Sequence, residues 1–291
     1  MTGRLPEIVQ AFGAVQSEIR RELGALDVGE YSEVAAGRTR MRLFKSIDAL
    51  NVFAARWSKG AIRSRYLDAQ STARTRLELI GAKRDRTFDK RRHARTIDQV
   101  RDAMLKDYMK ATATMKMLVG SYLDNLRRHN ASLLQVQEFD ASGLGAFADE
   151  YIGTLVANAI AHNQARGVVS RTIMAWLRKN LADGNYIQIG NRMYNVRAYS
   201  EMVARTRMME ASTEAVKEMC DEYENDLVVF STHDNPCEDC AALEGEIFSI
   251  SGDDTEYPAL TSDVEPPLHP NCEHNLNPTS RIALSWRGRK N

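Results

Sequence analysis

The chain changes character at the segment Leu227-Val-Val-Phe-Ser-Thr-His-Asp-Asn-Pro-Cys-Glu-Asp-Cys240. Four apolar residues open it, as in a short buried strand, and a Cys-x-x-Cys motif closes it. Before this segment apolar residues recur at helical spacing through most of the chain, whereas prolines and other turn-forming residues dominate after it. The pattern predicts an α+β protein with a mainly α-helical N-terminal two-thirds. A small α+β C-terminal module would follow, containing short strands and a Cys/His cluster.

Helices are predicted wherever apolar residues follow three- and four-residue steps. The first runs from Leu5 to Leu23, with Gly24 at its C-terminal cap. Further helices are predicted at about 40–57, 61–80, 97–128, 142–164, 168–182 and 197–224, with interruptions at Gly60, Gly81 and Gly120.

Short strands are predicted in the last third of the chain. Residues 186–196 contain two apolar-polar runs around a Gly-Asn pair, which predicts a hairpin. Two more strands are predicted at Leu227–Phe230 and at about 246–250. A chain of 291 residues has room for about two domains, and the change of pattern predicts a division into residues 1–184 and 185–291.

The net charge of zero conceals two oppositely charged regions. Residues 59–95 carry twelve Lys and Arg against four Asp and Glu, about +8, and residues 210–265 carry seventeen acids against one Lys, about −16. Such asymmetry indicates a charged partner rather than a particular fold. The cations of the first region either contact nucleic acid or form a solvated helix face. The candidates for contact are Arg84, Arg86, Lys90, Arg91 and Arg92.

Neither membrane insertion nor secretion is expected. The longest uncharged stretch in the apolar middle of the chain, residues 151–165, is shorter than the ~20 residues that span a bilayer. The N-terminal residues lack the uninterrupted apolar region of a secretory signal. We therefore expect a protein made in the cytoplasm, where clustered cysteines bind metals more often than they form disulfides.

Three of the four cysteines lie in one Cys/His constellation. Cys237-x-x-Cys240 is followed, after 28 residues, by His269-Pro-Asn-Cys272-Glu-His274. Two ligand pairs from separate loops are the arrangement that a tetrahedral structural zinc ion prefers. The predicted zinc ligands are Cys237, Cys240 and Cys272 with His269 or His274 as the fourth, and His233 is a further candidate. The alternative is a set of ordinary buried thiols, which is the role expected for Cys220.

Recognisable catalytic motifs are absent from the sequence. No histidine is followed two positions later by Glu, as a zinc deaminase requires, and there is no His-Glu-x-x-His, Gly-x-Ser-x-Gly or Gly-x-x-x-x-Gly-Lys-Ser/Thr motif. We therefore expect no enzymatic activity. The competing hypothesis is a metal-dependent hydrolase or nuclease that uses His233, Cys237, Cys240, His269 and Cys272.

An ordered series of motifs occupies residues 197–280. The series consists of Arg197–Thr206, Val228–Ser231, Cys237-x-x-Cys240, Leu243–Ser251, Tyr257–Leu260, Pro267–Cys272 and Asn275–Pro278. This order resembles that of the Mu F-like minor head proteins of tailed phages, and most nearly their phage minor capsid protein branch. Many relatives end the motif with His-Pro-Asn-Cys-x-Cys, whereas this chain has His274 at the last position. Imidazole can replace thiolate at zinc, so the fourth ligand stays open.

The resemblance implies a structural virion protein, made in the host cytoplasm and incorporated in few copies at the portal vertex or inside the capsid. It implies a part in head assembly and in genome packaging or delivery, with portal and capsid proteins as partners and an oligomeric arrangement in the virion. Residues 1–184 would be the helical arm that docks, and residues 185–291 the Mu F-like C-terminal domain. The basic segment 59–95 would then face packaged double-stranded DNA or an acidic portal surface.

Overall fold

A computed structural model describes residues 5–26, 32–132, 185–189, 192–281 and 283 of the chain. The helices predicted at about 142–164 and 168–182 lie outside these described residues. Within them the helices are α1 (Leu5–Gly24), α2 (Glu33–Leu79), α3 (Lys90–Ser132), α4 (Val196–Glu222) and the single turn α5 (Glu238–Ala241). The strands are β1 (Asn185–Ile189), β2 (Arg192–Asn195), β3 (Leu227–Phe230), β4 (Ile247–Ser249) and β5 (Leu276–Pro278).

Long helices come first and short antiparallel strands lie toward the C-terminus, which confirms the predicted α+β class. β1 and β2 form the predicted hairpin. None of the described helices combines the length and the apolar composition that crossing a bilayer requires.

The chain forms two compact units. The sheet unit consists of Met1–Leu5, Arg56–Lys106 and Met202–Asn291, and the helical unit consists of Pro6–Ala55 and Asp107–Glu201. Each unit is assembled from segments that are distant in sequence, so α2, α3 and α4 contribute residues to both. The predicted division into residues 1–184 and 185–291 stays a prediction.

The helical unit buries one face of α1. Apolar residues of α1 recur every three or four positions and therefore share a stripe, of which Ile8, Phe12, Val15, Ile19 and Leu23 are buried. The Phe12 ring lies 5.3 Å from the ring of Tyr108 on α3. Burying a side chain of this size stabilises a fold by about 1.5 to 3 kcal/mol, so this stripe explains why the segment is helical.

The sheet unit is organised around β3, whose four residues are all buried. β3 is the central strand of an antiparallel sheet in the order β4-β3-β5, with Val228 paired to Phe248 on β4 and to Pro278 on β5. Residues of α2 and α4 pack with this sheet in one buried cluster of Ala73, Leu77, Val216, Met219, Cys220, Tyr223, Val228, Phe230, Phe248 and Leu276. Cys220 is fully buried there, in the packing role expected for it.

A buried polar network links α2, α3 and α4 inside the sheet unit. His93 on α3 is 5% exposed, and its two ring nitrogens lie 2.6 Å from Glu218 Oε2 and 2.7 Å from Glu222 Oε1. The Tyr66 hydroxyl donates to Glu218 over 2.5 Å, and burial holds the pKa of that hydroxyl well above its usual value. Both carboxylates are buried, so these partners are needed to compensate for the cost of removing the carboxylates from water. Arg84, which pairs with Glu222, contributes to this compensation.

α2 and α3 are each continuous through a glycine at which the sequence predicted an interruption. α2 passes Gly60 and α3 passes Gly120, so both predicted interruptions are wrong, whereas α2 does end just before Gly81. A glycine inside a helix costs about 1 kcal/mol relative to alanine. Buried side chains on both sides of Gly60, among them Trp57 and Ile62, outweigh that cost.

Replacing Gly60 by alanine is expected to stabilise the protein by about 0.5 to 1 kcal/mol, because alanine has the higher helix propensity. No atom lies within 4 Å of the added Cβ. Gly81 is the matched control: its Cβ would also meet nothing within 4 Å, but its φ of +78° is left-handed and costs alanine about 1 to 2 kcal/mol. The urea concentration at the midpoint of unfolding should therefore rise for Gly60→Ala and fall for Gly81→Ala. Equal shifts for the two variants would contradict a continuous α2.

Candidate metal centre

The first ligand loop follows the central strand β3. Cys237 has an extended backbone, with φ −72° and ψ 165°, and caps the one-turn helix α5 that contains Cys240. The Ala241 N–H donates to the Cys237 carbonyl over 2.8 Å and closes the turn. This turn brings the two sulfur atoms close together, with the Cys237 side chain exposed and Cys240 buried.

The second ligand loop leads into β5, which pairs with β3. The Cys272 N–H donates to the His269 carbonyl over 3.1 Å, and Asn271 between them adopts a left-handed conformation with φ +65°. Asparagine adopts that conformation more readily than most residues. Because β3 and β5 are neighbours in the sheet, the loops at their adjacent ends come together.

The structure brings all five predicted ligands into one cluster. His269 Nε2 lies 3.3 Å from Cys237 Sγ and 3.2 Å from Cys240 Sγ, and His274 Nδ1 lies 3.9 Å from Cys272 Sγ. The ligand atoms form two overlapping trios, one of Cys237, Cys240 and His269 and the other of Cys240, Cys272 and His274, and every pair within a trio lies inside 4.8 Å. Bonds of about 2.3 Å to sulfur and 2.0 Å to nitrogen separate the ligand atoms of a tetrahedral zinc by about 3.5 to 3.8 Å. The donor set fits zinc, and so does the spacing within each trio, although no four of these five ligand atoms all lie within 4.8 Å of one another.

Both histidines are held through the ring nitrogen that faces away from the sulfurs. His274 Nε2 lies 2.9 Å from Glu244 Oε1, and His269 Nδ1 lies 2.9 Å from the Pro270 carbonyl oxygen. The Glu244 carboxylate also accepts the backbone N–H of His233 over 2.7 Å. An acceptor at the second nitrogen is usual for metal-binding histidines, because it orients the ring.

The sequence alone did not point to Glu244. This residue lies in the Leu243–Ser251 motif, but one acid among seventeen in its region carries no distinguishing pattern. The further candidate His233 lies beside the cluster: its ring is 4.5 Å from the ring of His274, and its Nε2 is 3.5 Å from Ser231 Oγ. His233 belongs to neither ligand trio.

Two thiols of the cluster differ in their electrostatic surroundings. Burial raises the pKa of Cys240 to about 12, with smaller contributions from Cys237 and Cys272. The Cys240 N–H donates to the Cys237 sulfur and lowers the pKa of that thiol below its usual value. The hydrogen bond from His274 likewise lowers the pKa of the Glu244 carboxyl. Because zinc binds thiolates, metal binding would release protons from this cluster.

The predicted contact cations divide into two groups. Arg84 pairs with Glu222 at 2.5 Å, Arg86 with Asp221 Oδ1 at 2.7 Å, and Arg92 with Asp221 Oδ2. These pairs join the basic segment to α4, so part of its charge neutralises part of the acidic region of the same chain. Lys90 and Arg91 are exposed and make no ion pair with any of the described residues.

The fold and the cluster define a mainly helical protein in which a small C-terminal sheet holds a Cys/His centre between two loops. A family model described as phage minor capsid protein 2 matches residues 89–279, from the start of α3 to the end of β5. The chain belongs to this family, which confirms the resemblance seen in its motifs. Searches of the curated proteins and of the solved structures found no match. Membership of a capsid protein family indicates a structural role in the virion.

Proposed function

We propose that the chain is a minor capsid protein of the portal vertex, where it aids head assembly and genome packaging or delivery. The family match over residues 89–279 carries this proposal, because it includes all of α3, all of α4 and the sheet with its Cys/His cluster. The partners are the portal protein and other capsid proteins, and several copies of the chain assemble in each virion. Residues 1–184 serve as the docking arm, and the basic segment 59–95 faces packaged DNA or an acidic protein surface at the vertex.

The location is tested in the phage that encodes the chain. Cross-linking of purified virions, followed by mass spectrometry, should join peptides of this protein to the portal protein. A stop codon early in the gene should leave heads that lack the protein and carry or deliver less DNA. Absence of the protein from purified virions, or cross-links to the capsid shell alone, would contradict the portal location.

We also propose that the cluster holds one structural zinc ion, bound by Cys237, Cys240, Cys272 and His274. Thiolate and imidazole are the ligands that structural zinc prefers. His274 is favoured over His269 because it is only 4% exposed and because the carboxylate of Glu244 orients it. When bound, the ion would cross-link the loop after β3 to the loop before β5.

Replacing His274 by alanine should remove most of the bound zinc, whereas His269→Ala should leave more than about half of it in place. Zinc content is measured per chain after dialysis against a mild chelator. Glu244→Gln keeps the shape of the side chain but weakens its hydrogen bond to His274, so zinc affinity should fall about tenfold or more. The opposite order for the two alanine variants would assign the fourth position to His269.

A metal-dependent hydrolase or nuclease is not favoured. A catalytic zinc keeps one coordination position open for water, whereas the four ligands proposed here would fill all four positions of a tetrahedral zinc. His233, which that hypothesis needs, belongs to neither ligand trio. The family, moreover, is one of capsid proteins.

A further inference from the structure

A groove between α2 and α3, inside the sheet unit, has an apolar floor and a cationic rim. Its volume is about 290 Å³, and its walls include Lys59, Arg63, Leu67, Phe88, Lys90 and Ile97. We call it the α2–α3 groove. On both helices its residues recur at steps of three or four positions, so each helix presents one stripe to it.

The floor of the α2–α3 groove leaves large apolar side chains in contact with water. Leu67 is 42% exposed and Phe88 is 44% exposed. Single exposed apolar side chains are common on protein surfaces. Two of them in one concave site, beside the half-buried Ile97, form a place where a partner can bury an apolar side chain.

The rim of the groove carries positive charge without matching acids. Lys59, Arg63 and Lys90 are exposed and make no ion pair with any residue in the described ranges. The one acid in the walls, Asp98, is paired with Arg101 at 2.5 Å. A partner that fits this rim brings carboxylates or other anions.

The same basic segment already binds an acidic helix within the chain. Arg84 and Arg86 pair with the acids Glu222 and Asp221 of α4, at 2.5 and 2.7 Å. α4 is also apolar on the face that packs into the buried cluster of the sheet unit. An acidic amphipathic helix is therefore a partner that this segment is built to bind.

We propose that the α2–α3 groove binds an acidic amphipathic helix of another virion protein. That helix inserts an apolar side chain over Leu67 and directs carboxylates to Lys59, Arg63 and Lys90. This inference adds a binding partner to the docking role proposed above. It rests on the proposed function in one respect only, namely that the partner is a virion protein.

Nucleic acid fits the groove less well than an acidic helix does. The Phe88 ring stacks on His93 with centroids 4.6 Å apart, and the Arg84 guanidinium lies 5.5 Å from the ring centroid. These contacts occupy the ring surfaces that a base would need for stacking. An apolar floor also offers nothing to a phosphate backbone.

The full-length protein is titrated against a fluorescein-labelled synthetic helix of about 18 residues, with leucines on one face and glutamates on its flanks. A scrambled peptide of the same composition and a duplex of about 20 base pairs are titrated in parallel. The amphipathic peptide should bind roughly tenfold more tightly than the scrambled one, because only the former pairs apolar and acidic groups with the groove.

Variants of the groove locate the binding. Arg63→Glu/Lys90→Glu should weaken binding of the amphipathic peptide roughly tenfold or more, and Leu67→Asp should weaken it to a similar degree. The matched controls, Arg74→Glu/Arg76→Glu and Leu79→Asp, alter exposed residues of α2 outside the groove and should change binding less than about twofold.

Three outcomes would overturn the proposal. The first is that the amphipathic peptide does not bind at about 1 mM, and the second is that the scrambled peptide binds equally well. The third is that the duplex binds more tightly than the peptide and that the groove variants abolish this duplex binding. These outcomes concern the groove alone. Absence of the protein from virions would instead contradict the portal location and leave the peptide result standing.

Discussion

Chelation of zinc should unfold the C-terminal sheet and leave the helical unit folded. In hydrogen exchange on the full-length protein, amides of β3, β4 and β5 should exchange about 100-fold faster with excess chelator, which corresponds to about 2.7 kcal/mol of local opening free energy. The reason is that the loops flanking β3 and β5 supply all the proposed ligands, so removing the ion releases both loops at once. Amides of α1 should be unaffected, because α1 belongs to the other unit.

Cysteine variants assign this effect to the cluster. Cys240→Ser should reproduce the effect of the chelator, because Cys240 is common to both ligand trios. Cys220→Ala is the matched control: this thiol is equally buried but lies in α4, so zinc content should be retained and only about 1 kcal/mol of packing lost. Unchanged protection of the sheet after chelation, with zinc removed, would show that the cluster is not structural.

The second large effect is expected from His93→Leu, which should destabilise the protein by about 3 to 5 kcal/mol. The substitution removes the imidazole that contacts Glu218 and Glu222 from both nitrogens, while both carboxylates remain about 5% exposed. Arg84 offsets part of the cost at Glu222. Urea unfolding, followed by circular dichroism, measures the loss.

A triple variant separates the unpaired charges from the change in packing. His93→Leu combined with Glu218→Gln and Glu222→Gln replaces both buried carboxylates by neutral amides, so it should recover a large part of the lost stability. Lys116→Leu, which breaks the exposed pair between Lys116 and Asp48, should cost less than about 1 kcal/mol. A cost for His93→Leu as small as that of Lys116→Leu would show that the buried network contributes little.

Sequence patterns predicted the helices and strands whose buried residues form a local apolar pattern. β3 was predicted at Leu227–Phe230 and found there, because a run of four apolar residues suits a strand that is buried on both faces. β5 was not predicted as a strand, since Leu276–Pro278 contains no alternation and becomes a strand only by pairing with β3. The start of α3 was placed too late, at about 97, although Asp89 caps it through the N–H groups of Arg91 and Arg92.

The sequence predicted which Cys and His side chains come together in the candidate site, but not the hydrogen bonds that orient them. Cys-x-x-Cys and the His-Pro-Asn-Cys loop carry spacings that point to a metal, and the structure places these side chains together. The contact between Glu244 and His274 depends on a fold that brings residues thirty positions apart within 2.9 Å, and no local pattern encodes it. The ion pairs of Arg84 and Arg86 with α4 could not be predicted from the sequence for the same reason.

Metal content tests the central claim, a structural zinc centre in a minor capsid protein, most directly. The full-length protein is purified without added metal or chelator, and its zinc content is determined by elemental analysis and native mass spectrometry. We predict about one zinc ion per chain, lost in Cys240→Ser and retained in Cys220→Ala. A folded wild-type chain that carries no zinc and does not take up the added ion would contradict the claim.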